Sequence, residues 1–124
     1  MKVVVIEEDR GLRDLIRPML AERATTLVEV TTAADGPPVV GTVAPDVVLL
    51  AAVDLAGARR EEVPRVLRRA HPTARLLLLG ARPPSRGRPG PDVDGFLPYP
   101  FNSRQLNLAI DRLMEQIPAG SSGR

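Results

Sequence analysis

The sequence predicts a single α/β domain built on a doubly wound parallel sheet. Short apolar runs alternate with stretches of helical period along the chain, the pattern of parallel strands joined by crossover helices. Three of those runs are apolar throughout, as strands covered by helices on both faces must be. A length of 124 residues fits one domain with one closed core.

The first run is Val3-Val4-Val5-Ile6. After it Leu12, Leu15, Ile16, Met19 and Leu20 recur at i, i+3, i+4, i+7 and i+8, the buried stripe expected of an amphipathic helix. Pro18 falls on its polar side and is expected to bend it. Residues 27–30 form a weaker run with Glu29 inside, which suits an edge strand. Pro37-Pro38 can open a short helix through Val39, Val40 and Val43. Val47-Val48-Leu49-Leu50 is the next strand, followed by a helix with Val63, Val66, Leu67 and Ala70 on one face. Residues 76–79 and Gly95-Phe96-Leu97 are the last two strands. The final helix begins near Asn102, with Gln105 placed for a capping box and Leu106, Ala109, Ile110, Leu113 and Ile117 as its inner stripe.

The apolar first, third and fourth strands belong at the sheet centre, and the polar second and short fifth at its edges. The order is then 2-1-3-4-5, the flavodoxin-like arrangement, with any site at the carboxyl ends of the first and third strands. Residues 82–94 are too rich in proline and glycine to propagate a helix, so a degenerate fourth helix or a loop is expected there. The domain is expected to span 1–118, with 119–124 a loose tail.

Composition narrows the chemistry. The chain has no cysteine, which excludes disulfides, thiolate metal sites and cysteine nucleophiles. No secretory signal or membrane span is read from it, so a cytoplasmic location is expected. The net charge of +2 conceals nine arginines between 59 and 88 against Glu61 and Glu62. Arg59, Arg60, Arg65, Arg68, Arg69, Arg82, Arg86 and Arg88 carry no interleaved aromatics. A solvated face is expected of them rather than a nucleic-acid site. His71 has no Ser, Cys or second His at a catalytic spacing.

Four segments, in register with the strands, resemble the receiver domain of bacterial two-component response regulators. Val3-Val4-Val5-Ile6-Glu7-Glu8-Asp9 is similar to its opening strand and acidic pair. Pro45-Asp46-Val47-Val48-Leu49-Leu50 resembles the lead-in to its phosphoacceptor. Residues 76–79 with Gly80-Ala81 resemble the strand that ends in a hydroxyl residue plus alanine. Gly95-Phe96-Leu97-Pro98-Tyr99-Pro100-Phe101 is similar to its aromatic-Leu-X-Lys-Pro-Phe segment. The resemblance places the family's phosphoacceptor aspartate at Ala51, its hydroxyl residue at Gly80 and its lysine at Tyr99.

Phosphoryl transfer needs a nucleophilic oxygen and cationic neutralisation of the moving phosphoryl group, and none of those three residues supplies either. An atypical, pseudo-receiver reading follows, with Asp54 the nearest replacement carboxylate but past the strand end. No cofactor is expected beyond a weakly held Mg2+ at Glu7 and Glu8; the alternative is a solvated pair held by Arg10 or Arg82. Tyr99 is expected to fill part of the vacated cleft, the Tyr99-Pro100 bond to be cis as in the family, Phe101 to anchor the last helix, and Phe96 to pack in place.

The resemblance implies a non-enzymatic signalling module that acts on a protein partner or by self-association, with the N-terminal part of a transcription regulator as one setting. Phe96, Arg104, Asp111 and Arg112 are the expected output face. Direct nucleic-acid binding by this domain and membrane association are not expected. The rival is a small-molecule sensor using the cleft of Glu7, Glu8, Ala51, Gly80 and Tyr99; an enzyme built on Glu7 and Glu8 alone lacks a nucleophile and a third ligand.

Overall fold

The computed structural model describes residues 1–51, 62–80 and 92–116. Five parallel strands form one sheet: β1 (Lys2–Ile6), β2 (Thr26–Val30), β3 (Val47–Ala51), β4 (Arg75–Gly80) and β5 (Gly95–Pro98). Their order is β2-β1-β3-β4-β5, a flavodoxin-like topology, with the all-apolar strands central. Four α-helices are described: α1 (Arg10–Met19), α2 (Gly36–Val43, entered from a 3-10 turn at Ala33–Asp35), α3 (Glu62–Ala70) and α4 (Ser103–Met114). The predicted loop falls mostly on 81–91, and the tail and Ile117 on 117–124, all outside the described residues.

Alternation along the strands splits the core into two layers. Val4, Ile6, Val48, Leu50, Leu76 and Leu78 face α2 and α3, through Val40, Val63 and Leu67. Val3, Val5, Val47, Leu49, Leu77 and Leu79 face α1 and α4, through Ile16, Leu20, Leu106, Ile110 and Leu113. Gly36 lets α2 approach the first layer closely, since an added Cβ would stand 2.7 Å from the Ile6 side chain.

Helix ends follow local chemistry. Asp9 caps α1 by accepting the Leu12 N–H at 3.2 Å, and Asn102 and Gln105 form the expected reciprocal capping box on α4. α2 stops at Ala44, which adopts the left-handed conformation at φ 52°.

One helix expectation needs correction. Leu15 is 59% exposed rather than part of the buried stripe. The stripe that rests on the sheet runs through Ile16 and Leu20, with Leu12 and Met19 half-buried, and Leu15 is rotated beyond it. Pro18 lies inside α1, one residue before its end at Met19, and lacks the N–H that the last turn would use.

A charge cluster fixes the β2 edge to α1. Arg17 donates to both carboxylate oxygens of Glu29, at 2.6 and 2.8 Å, and Arg13 approaches the same carboxylate at 3.5 Å. The hydrogen bond from Arg17 holds the Glu29 carboxyl below its ordinary range, against a smaller opposing effect of burial. A carboxyl lowered on folding contributes stability above its unfolded value, lost as pH falls through the folded one. Urea denaturation from neutral to acid pH is therefore expected to show a shallower loss for Glu29→Gln than for the unaltered protein. Equal slopes would show that this carboxylate carries no acid-range stability.

Candidate functional site

The carboxyl ends of the strands bring the sequence-predicted residues to one rim. Glu7 follows Ile6, whose register partner is Leu50, so Glu7 and Ala51 are the next residues on adjacent strands. Gly80 ends β4 opposite Pro98, and Tyr99 is one residue further on. Glu7, Ala51 and Tyr99 continue the parity of Val5, Leu49 and Leu97, the residues of the α1 and α4 layer.

Glu7 is only 1% exposed. A carboxylate removed from water must find donors nearby, and this one has two. Its Oε1 accepts from the Tyr99 hydroxyl at 3.2 Å, and its Oε2 accepts from the Asp9 N–H at 3.0 Å. The expectation of a solvated glutamate pair is therefore wrong for Glu7. Glu8, at the opposite parity, is exposed. Arg10 does not hold the pair; its guanidinium lies 4.0 Å from Asp14. Arg82 is outside the described residues.

The residue that grips this turn is Arg13, which the sequence reading passed over. Its Nη1 donates to the Glu7 carbonyl at 2.7 Å and to the Glu8 carbonyl at 3.1 Å. The available signal was its place one helical turn after the Asp9 cap, on the side of α1 that faces Glu29.

Ala51 is fully buried and presents a methyl group at the end of β3. Asp46 lies at the other end of that strand, where its Oδ2 accepts the Lys2 N–H at 2.8 Å, and it takes no part in the rim. Asp54 is outside the described residues. The Tyr99 N–H donates to the Gly80 carbonyl at 2.9 Å, its ring stacks on Phe101 with centroids 5.7 Å apart, and the Tyr99-Pro100 bond is cis.

The described residues of this rim provide few oxygens for a Mg2+. Both Glu7 oxygens already accept hydrogen bonds, and Ala51 adds no oxygen. Among the described residues no group of three His, Cys, Asp or Glu side chains could hold a metal ion.

Of the expected output residues, Arg104, Asp111 and Arg112 are exposed on α4 and Phe96 lies on β5. Phe96 is half-buried against the α2 and α3 layer. Arg104 and Arg112 flank the exposed Leu108 along the outer side of α4. Asp111 is exposed on the same helix and accepts from Arg23 Nη2, in the turn after α1, at 2.8 Å. An open groove of about 590 Å3 between α1 and α4 is lined by Pro18, Met19, Arg23, Ser103, Asn107 and Asp111, and by none of the rim residues.

The arginine set also divides. Arg65 and Arg69 are exposed as expected, but Arg68 is 7% exposed and paired with Asp94, so it belongs to no solvated face. Arg59, Arg60, Arg82, Arg86 and Arg88 lie outside the described residues. Among the described residues no helix is long and apolar enough to cross a membrane.

No family model matches this sequence, and no curated protein matches it significantly. Solved structures do. The chain is similar to chemotaxis protein CheY4 of Vibrio cholerae at 14% identity and TM-score 0.76, covering 90% of this chain and 97% of that one. It is similar to the receiver domain of NtrX from Brucella abortus at 16% identity and TM-score 0.72, covering 93% and 99%. A putative pilus assembly protein, cpaE, from Burkholderia thailandensis matches at 19% identity and TM-score 0.72, covering 94% and 99%. At these identities the likeness establishes the fold: this chain has the CheY-like fold of response-regulator receiver domains.

Proposed function

We propose that this chain is a receiver-like signalling module that works without phosphorylation, through contact with another protein. The observation that carries the proposal is the end of β3, where a buried alanine methyl stands beside Glu7. A receiver that accepts phosphate needs a carboxylate there to attack phosphorus and a cation to neutralise the transferring oxygens. In their place stand Ala51, a Glu7 carboxylate occupied by Tyr99, and Gly80 without a hydroxyl. No catalytic role is assigned to any residue, and the role left is binding, with Phe96 and the Arg104 and Arg112 side of α4 as the proposed output face. The N-terminal part of a transcription regulator, in the cytoplasm, is a setting that suits such a module.

The rival reading, a small-molecule sensor in the vacated cleft, is disfavoured by the same geometry. Among the described residues, Tyr99 reaches across that space to Glu7, so its hydroxyl and the Glu7 carboxylate already satisfy one another there. Incubation with acetyl phosphate and Mg2+ followed by intact mass measurement tests the proposal. No covalent gain is expected; the addition of one phosphoryl group would overturn it.

A further inference from the structure

The polar contacts of the rim join into a chain that runs from one sheet edge toward the other. Glu29 on β2 meets Arg13 of α1 at 3.5 Å. Arg13 holds the carbonyl of Glu7, just past β1, at 2.7 Å. The Glu7 carboxylate takes the Tyr99 hydroxyl at 3.2 Å, and the Tyr99 N–H reaches Gly80 of β4 at 2.9 Å. β3 supplies only the methyl of Ala51.

We infer that this chain, with Tyr99 and Arg13 as its positioning residues, is a built-in tie that holds the strand ends in one arrangement. A carboxylate 1% exposed cannot turn to water without opening the rim, so its hydrogen bonds to Tyr99 and to the Asp9 N–H are retained together or lost together. Asp9 also caps α1, and Tyr99 leads through Phe101 into α4. One buried carboxylate therefore links the segment that enters α1 to the segment that enters α4. The inference rests on the phosphorylation-independent reading and deepens it: the rim carries its own cross-link, so the α4 face is presented constantly and needs no ligand to set it.

Native-state hydrogen exchange on the whole chain tests the tie. Tyr99→Phe keeps the ring and its stack on Phe101 but removes the hydroxyl. It is expected to speed exchange of the amides at Asp9 and at position 99 by about ten-fold more than at Val4 or Leu49, the factor appropriate to one buried hydrogen bond to a charged group. Arg13→Met cuts the chain at its other end and is expected to speed exchange at Glu7 and Asp9 while leaving Ile110 unchanged. Acceleration no greater at the rim than in the core, in both variants, would overturn the tie. Phosphoryl uptake from acetyl phosphate would instead defeat the reading of Ala51 and leave the exchange result standing.

Discussion

Arg68→Met is expected to destabilise the fold by about 3–5 kcal/mol, the loss typical of removing one member of a buried ion pair. Arg68 lies near the end of α3, with its guanidinium beneath the surface. It donates to the Asp94 carboxylate at 2.7 Å, to the Pro72 and Asp92 carbonyls at 3.0 Å each, and to the Ala74 carbonyl. Asp94 Oδ2 also accepts the Leu76 N–H at 2.8 Å, so the pair joins α3 to the start of β4 and the approach to β5. Methionine fills much of the volume but offers no donor to three carbonyls and a carboxylate. Urea denaturation would measure the loss. Adding Asp94→Asn to Arg68→Met should recover part of it, because a buried amide costs less than a buried carboxylate that has lost its guanidinium. Strictly additive losses would show that the charge itself is not what makes the single variant costly.

Ala51→Asp should cost about 3 kcal/mol at neutral pH, again because an ionised group enters a buried place without a cation. The new carboxylate would stand next to Glu7, whose own donors are Tyr99 and the Asp9 N–H and whose negative charge repels it. A divalent cation relieves that repulsion, since a cation bound only by the folded state stabilises it. Thermal unfolding with and without Mg2+ is expected to show a rise for Ala51→Asp and none for the unaltered chain. A variant as stable as its parent without Mg2+ would mean that the space beside Glu7 is more open and more solvated than its burial implies.

Much of the fold was legible in the residues because it rests on local periodicity. The apolar runs ending at Ile6, Leu50 and Leu79 and the all-apolar character of three strands determine which strands are central. The Asn102 and Gln105 pair marks the start of α4 because a capping box is made within four residues. The same reasoning misjudged Leu15, since helical spacing gives a stripe but not its rotation over the sheet, which depends on where α4 packs.

The candidate site was legible as a set of positions but not as contacts. The residues at the strand ends, Glu7, Ala51, Gly80 and Tyr99, follow from the strand register alone, because parallel strands of equal phase deliver their ends to one rim. What each does there depends on partners distant in the chain: Tyr99 on a carboxylate 92 residues away, Arg68 on an aspartate 26 residues away, Arg23 on one 88 residues away. Whether an arginine is solvated or buried, and whether a glutamate is free for a cation or held by a tyrosine, is set by which groups the folded backbone leaves within about 3 Å of each other. The sequence by itself determined the α/β topology and the absence of a nucleophile at residue 51, and only the tertiary structure decided that the Glu7 carboxylate is buried and already taken.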